Sequence, residues 1–361
     1  MSEIPAAKSG SYNFLGYPFV LTSDSPKVLA DFGRIYDRFR VASNEGAQED
    51  VPVLRATVLT GTPDRRPVLI VDDKRIVLEG PTVPELVYFY VLNFLFQHVE
   101  HTFILHGGVV EAKGKALIIS GASGAGKTTL TLAFAQKGYA FLSDELAPLH
   151  GERRIIEPFP RRIGVRTREG ELKDMIDIAA RPGGRLGAAC PPGWIVYLAP
   201  AVLPDDEAGI SYLEVACNRM DGSALQAFSM LPGVIAAEAL AGRFHPSVRL
   251  KISAGAALTE AIDELCRRSG LAVLDYHHGR TLAPDFEGEP GLERLSGISG
   301  VLLVARQLLN ARPPSRLLAR HHGSQPALIM ALADMLRDVA IYRLTPGPVD
   351  KMVALIEDYV L

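Results

Sequence analysis

The sequence predicts an α/β protein in two parts: a small α/β N-terminal region over residues 1–100 and a larger phosphate-loop domain over residues 101–361. Three observations predict it. Residues Gly121 to Thr128 read GASGAGKT and fit the pattern GxxxxGK[ST]. That loop lies between a short apolar β-type run, Ala116–Ser120, and a helix-period run, Thr129–Lys137, which Gly138 ends. Elsewhere strand-type and helix-type runs alternate, as they do when helices pack on a sheet.

Residues 1–10 are small and polar and read as a loose terminus. Tyr17–Thr22 alternates as a strand. Ser25–Phe39 reads as a helix, with Ser23 or Ser25 as N-cap and Val28, Leu29, Phe32, Ile35 and Tyr36 on one face. A polar loop, Ala42–Asp50, leads to strands Val51–Thr60 and Val68–Leu78, the second turning at Asp72-Asp73-Lys74. Thr82 caps the next helix, with Pro84 in its first turn and Glu85 completing a capping box. Val83 to His98 is apolar nearly all round and predicts a buried helix. His98 and His101 near its end lack further ligands and read as helix-end or surface histidines.

Phe103–Val110 and Lys115–Ser120 read as adjacent strands around the turn at Ala112-Lys113-Gly114. The loop follows. Its glycines let the backbone curl until successive N–H groups point at phosphate oxygens, and the next helix adds its positive end. Gly121, Ala122, Ser123, Gly124, Ala125, Gly126, Lys127, Thr128 and Thr129 are the candidate nucleotide-binding residues. Lys127 supplies a point charge for the β- and γ-phosphates, and the Thr128 hydroxyl suits Mg²⁺. His106 lies fifteen residues before Gly121, and is the one polar residue of an apolar strand. Asp144 and Glu145 lie sixteen and seventeen residues after Thr128, at the end of strand Tyr139–Ser143. Ligands of parallel α/β sheets gather at the carboxyl ends of strands, which brings both acids beside the γ-phosphate.

The elements His106-Gly107-Gly108, GASGAGKT and Ser143-Asp144-Glu145 resemble, in order and spacing, the catalytic domain of the HPr kinase/phosphorylase family. They are closer still to its HPr-related kinase branch, some of whose members phosphorylate precursor peptides. The resemblance implies a mixed sheet with flanking helices. It also implies transfer of the γ-phosphate of ATP, with Mg²⁺, to a hydroxyl, most simply a serine of a protein or peptide. By the same resemblance His106 and Asp144 are catalytic, with Asp144 as general base and Lys127 at the phosphoryl group. Thr128 and Glu145 would hold the metal, with Glu157 standing for a later metal-contacting glutamate.

The family's usual pair of aspartates is Asp-Glu here, and the glycine-rich signature tied to phosphorolysis is absent. Ile155 to Gly164, IIEPFPRRIG, stands in its place, so neither the reverse reaction nor HPr as substrate is expected. Arg161 or Arg162 could steady a phosphate. Two alternatives stay open: a kinase of a small-molecule alcohol, and a nucleotide-binding regulator without transfer. The acid pair argues against the second, because binding alone needs no general base. Ring-forming relatives suggest a homo-oligomer by analogy.

Downstream, Arg181–Pro192 reads as a Gly/Pro-rich loop and Trp194–Leu198 as a strand. Pro232–Leu240 and Ala254–Arg267 read as helices, Leu271–Tyr276 as a strand, and Pro284–Gly300 as a surface loop or substrate gate. Val301–Leu309, Ala327–Ala340 and Val349–Tyr359 close the chain as helices, with a strand and turn over Tyr342–Pro348. His277-His278 and His321-His322 lack partners at zinc spacing.

A net charge of −3 over 361 residues gives no electrostatic case for nucleic acid or an anionic membrane. Cys190, Cys217 and Cys266 are far apart in sequence and without metal spacing, which fits a reducing cytoplasm. The start of the sequence lacks a charged and then apolar signal segment, and the most apolar run, Leu86–Phe96, is too short to span a bilayer.

Overall fold

The computed structural model describes residues 8–42, 51–60, 67–71, 74–77, 83–121, 124–165, 174–199, 210–240, 246–253, 258–279 and 286–361. It begins with a five-stranded sheet in sequence order. Its strands are β1 (Lys8–Phe14), β2 (Tyr17–Ser23), β3 (Leu54–Leu59), β4 (Val68–Val71) and β5 (Lys74–Val77). Helix α1 (Pro26–Ile35) connects β2 to β3, which is why that one pair is parallel. Alternation in β1 and β2 turns Tyr12, Phe14, Phe19 and Leu21 inward, onto the α1 face of Val28, Phe32 and Ile35. The expected loose terminus is corrected in part: Lys8, Ser9 and Gly10 pair with Ser23, Thr22 and Leu21. Polar composition does not prevent this, because the ladder needs only backbone groups.

Helix α2 (Val83–His98) is apolar all round because it is covered by both halves of the chain. Its Val87, Val91 and Leu95 join a core that holds the N-terminal aromatics together with Ile104, Leu146 and Phe159. Hydrophobic packing thus continues across residue 100.

The larger part starts with β6 (Thr102–Ala112), β7 (Lys115–Gly121), α3 (Lys127–Gln136), β8 (Ala140–Ser143), β9 (Leu146–His150) and β10 (Ile155–Ile156). A two-stranded ribbon, β11 (Ile163–Val165) with β12 (Asp174–Ile176), precedes β13 (Arg185–Leu186) and β14 (Pro192–Leu198). An insertion then adds β15 (Ile210–Cys217), α4 (Gly222–Ser229), β16 (Val234–Leu240), β17 (Ser247–Ser253), α5 (Thr259–Ser269) and β18 (Val273–Gly279). The chain returns through β19 (Gly291–Leu295), α6 (Gly297–Ala305), α7 (Arg316–Arg320), α8 (Gln325–Met335), β20 (Ala340–Thr345) and α9 (Val349–Tyr359).

The central sheet has the order β10-β9-β6-β7-β14-β20-β19, with β8 also paired to β6 and β13. Strand β7 is buried on both faces, which explains its unbroken apolar run. Leu117 and Ile119 face Leu130 and Phe134 of α3 and Met352 and Ile356 of α9. Ile118 faces the other way, into a core with Val304, Leu328 and Leu332 of α6 and α8. The architecture is α/β, with mixed sheets and flanking helices. Among the described residues no helix is long and apolar enough to cross a membrane.

The insertion folds around its own core of Leu213, Val215, Phe228, Leu250 and Ile262, under a sheet of order β16-β17-β15-β18. Cys217 and Cys266, distant in sequence, meet in this core. The helix expected at Pro232–Leu240 is corrected to a strand, β16, paired antiparallel with β17. Its Ala, Glu and Leu favour a helix locally, but the ladder to β17 outweighs a preference worth tenths of a kcal/mol per residue. The helix lies just upstream as α4, where Asp221 accepts the N–H of Ala224 at 2.8 Å as N-cap. Pro284–Gly300 is likewise not one loop: it contains β19, antiparallel to β20, and the start of α6.

Candidate functional site

Strands β7, β14 and β20 are mutually parallel, while β6 runs against β7, β8 and β9. The carboxyl ends of β7, β8, β14 and β20 therefore share one edge of the sheet. The register of β6 joins the pieces there. Gly107 pairs with Ser120, Val109 with Ser143, and His106 with Leu146. This brings Gly121, His106 and the Asp144–Glu145 pair together at that edge.

Gly121 has φ 147°, and a Cβ there would meet the Leu198 carbonyl oxygen at 2.6 Å, so no other residue fits. Ala122 and Ser123 lie outside the described residues. Gly124 is exposed and Ala125 is buried. Gly126, at φ 98°, delivers the chain to the first turn of α3. Lys127 is buried, and its Nζ donates to the Gly121 carbonyl at 2.9 Å, so the ammonium is held across the mouth of the loop. Thr128 is half-buried and Thr129 exposed at the start of α3. A helix N-terminus approached through glycines, with a lysine across it, suits anionic oxygens. The second glycine after His106 has a packing role: a Cβ on Gly108 would fall 2.0 Å from Thr131 Oγ1, so glycine lets α3 lie close on β6.

The acids sit on a tight turn after β8. Ser143 Oγ accepts the N–H groups of Glu145 at 3.3 Å and Leu146 at 3.2 Å, while Gly107 N–H donates to the Glu145 carbonyl at 2.9 Å. Asp144 is 6% exposed, which makes its carboxylate a sheltered acceptor. His106 is half-buried, and its backbone is held by the Gln307 carbonyl at 2.9 Å and by Ser120 Oγ at 2.7 Å.

Glu145 has a partner that sequence reasoning did not assign. Arg161 Nε lies 2.9 Å from its Oε2, too poorly aligned for a hydrogen bond, so the two form an ion pair. The guanidinium also lies over the Tyr88 ring, 5.6 Å from its centroid, and Tyr88 stacks on Tyr36 at 4.5 Å. Burial opposes the Arg161 charge, but Glu145 and lesser contributions from Tyr88, Tyr36 and Asp144 outweigh it and hold its pKa above the ordinary value. Burial, then the Glu145 charge, pushes the Tyr88 hydroxyl well up. Arg162, the other arginine considered for phosphate, turns away to Asp37 at 3.1 Å.

Glu157 is ion-paired with Arg153 and lines a cleft of about 530 Å³ with Arg38, His101 and His150. The Glu157 N–H donates to the Pro148 carbonyl at 2.9 Å, and Pro148 pairs with Ile104, two residues from His106 or roughly 7 Å along the strand. The Glu157 carboxylate is turned to Arg153 in the cleft. His98 Nδ1 contacts the Phe94 carbonyl and His101 pairs with Glu152, as helix-end histidines do. Among the described residues no group of three or more His, Cys, Asp or Glu is placed to hold a metal. Magnesium needs no such cage, since it keeps waters and takes one or two carboxylates plus substrate phosphates. Thr128 offers a hydroxyl and Glu145 a carboxylate of the types such a site uses, the carboxylate being ion-paired with Arg161 here.

One residue at the loop carried no sequence signal. Phe286, 43% exposed, rests on Gly126, where a Cβ would touch its ring at 3.1 Å.

No family model and no curated protein sequence matches the chain. Among solved structures it is similar to the Hpr(Ser) kinase/phosphatase from Coxiella burnetii. The identity is 17% over 46% of this chain and 95% of that one, with a TM-score of 0.23. This is a loose structural relationship, too distant to assign a family.

Proposed function

We propose that this protein is an ATP- and Mg²⁺-dependent kinase of the HPr-kinase-like type, transferring the γ-phosphate to the serine hydroxyl of a protein or peptide. The strand register at one sheet edge carries the reading: it gathers the glycine loop, Lys127, His106 and the acid pair. The acceptor class rests on the resemblance of HGG, GASGAGKT and SDE to the HPr-related kinases.

Asp144 accepts the proton of the acceptor hydroxyl as that oxygen bonds to the γ-phosphorus and the bond to the bridging oxygen of ADP breaks. His106 orients Asp144. Lys127 and the loop N–H groups stabilise charge that develops on the phosphoryl oxygens. When bound, Mg²⁺ would supply charge neutralisation at the phosphates of the donor. Thr128 and Glu145 would hold it, with Glu157 as the further candidate; each glutamate would first have to leave its arginine, Arg161 or Arg153.

The Arg161–Glu145 pair favours a second reading, a nucleotide-binding regulator, because an acid already neutralised is a poor metal ligand. One assay separates the two. The protein and its Asp144→Asn variant are incubated with γ-labelled ATP, Mg²⁺ and a cell extract split into protein/peptide and small-molecule fractions. Asp144-dependent label in the protein/peptide fraction supports the proposal. Label only in the small-molecule fraction makes the acceptor an alcohol metabolite. ATP binding with no Asp144-dependent label in either fraction favours the regulator.

A further inference from the structure

The acids and Phe286 lie on opposite sides of the phosphate loop. In the central sheet, β8 and β9 pair with β6 on one side of β7, while β14 and then β20 lie on the other. Asp144 and Glu145 leave β8 on the first side. Phe286 belongs to a short segment anchored on the second. There Gly288 O lies against Gly347, where a Cβ would meet it at 2.6 Å, and Glu289 is ion-paired with Lys351 of α9. From this anchorage the Phe286 ring reaches Gly126, at the entry to α3, with much of its surface open to solvent.

A nucleoside triphosphate in the loop has a direction. If its γ-phosphate points at the acids, its nucleoside leaves on the β14–β20 side. An aromatic ring tethered at that exit, resting on a glycine that offers no side chain of its own, is a surface for a flat aromatic ligand. We propose that Phe286 is the platform on which the nucleobase of the phosphate donor stacks. The proposal rests on the reading of residues 121–128 as a triphosphate loop, and it adds a recognition residue for the part of the donor that the loop does not touch. Stacking is tolerant of base identity, because every base has a π-face. Phe286 would therefore set affinity for nucleotides over bare polyphosphates more than preference among purines.

The test is calorimetric titration of the full chain with MgATP and, separately, with magnesium tripolyphosphate. Phe286→Ala, Phe286→Trp and Lys127→Ala run beside the unaltered protein. Phe286→Ala should weaken MgATP binding by about tenfold to a hundredfold, the range for loss of one base–aromatic stack. It should leave tripolyphosphate within about twofold, and Phe286→Trp should bind MgATP at least as well as the unaltered chain. Circular dichroism melting confirms that the variants fold. Equal weakening of both ligands by Phe286→Ala, no effect on either, or tighter MgATP binding would overturn the platform. Lys127→Ala tests the loop separately. Undiminished binding of both ligands by that variant would overturn the loop reading, whatever Phe286 does.

Discussion

The two sides of the phosphate loop are built to different standards. On the acid side every element is fixed. Ser143 pins the turn, β6 is hydrogen-bonded along its length, Asp144 is buried, and Glu145 is ion-paired with Arg161 under Tyr88. On the exit side a short segment offers one half-open aromatic ring. The difference separates tasks: a general base must stay within hydrogen-bond reach of a moving proton, whereas a stacking surface tolerates sliding. The acid side should therefore govern turnover and the exit side affinity.

The largest effect expected is that of Asp144→Asn. Transfer should fall by about two to four orders of magnitude, the usual worth of a general base, with nucleotide affinity unchanged. Labelled-phosphate transfer and a binding titration on the same preparation check it. Loss of binding in step with transfer would break the division of labour. Lys127→Ala comes next, because its ammonium sits where the two sides meet. Losing a charge-assisted contact should weaken nucleotide by about tenfold to a hundredfold, and equilibrium binding of a fluorescent ATP analogue reads it.

The acid side was the legible one. Glycines and lysine stand out by the pattern GxxxxGK[ST] and the acids by their distance after it, while the roles proposed for them rest on the family resemblance. Ser143 and Gly108 belong to the SDE and HGG motifs, and their tasks emerge only from the Oγ contacts of the turn and from the 2.0 Å approach to Thr131. The sequence marks Arg161, with Arg162, as a candidate for steadying phosphate, yet its partner depends on how the segment after β10 folds back beside β8, where Phe159 bridges to Ser143. Phe286 gave no signal, since an aromatic in a polar, glycine-rich stretch has no periodicity to betray a neighbour 160 residues away. Within the insertion, Pro232–Leu240 misleads for a related reason, whereas the helix and strand that follow it lie where the sequence predicts them. In β16 the run Val-Ile-Ala-Ala-Glu-Ala-Leu is a fair helix locally, and only its pairing with β17 makes it a strand.

Arg161 sharpens the comparison further, since it ties the acid side to the N-terminal aromatics. Replacing it by methionine leaves Glu145 largely enclosed without its counter-charge. Stability should fall by about 2 kcal/mol, below the cost of breaking a fully buried pair because Glu145 is 25% exposed. Adding Glu145→Gln should recover much of that loss, and denaturant melts of the single and double variants measure it. Simple additivity would mean that the pair contributes no coupling and that the side is less tightly built than its distances suggest.

The smallest effect tests how far that rigidity extends. Asp177 caps a short turn by accepting the Ala179 N–H at 3.0 Å, and it binds Arg38 of the N-terminal region at 2.8 Å with Arg162 at 3.9 Å. Burial pushes its carboxyl up, but the Arg38 hydrogen bond and charge, the Ala179 N–H and the Arg162 charge together outweigh it, so the folded pKa lies below the usual 3.8. A depressed folded value means that the native state holds its proton less tightly than the unfolded chain. The resulting stabilisation is complete above about pH 3.8 and is lost as pH falls through the lower folded value. Solvent screens the group, so the contribution should stay under about 1 kcal/mol. Asp177→Asn should thus melt slightly below the unaltered protein at neutral pH, with the gap closing under acid. Melting curves from neutral pH down to about pH 3, below the unperturbed aspartate value, check it. A gap that stays constant would mean that the link between the two regions rests on packing around Phe159 and Tyr88, with the charges of Arg38, Arg162 and Asp177 contributing nothing that pH can remove.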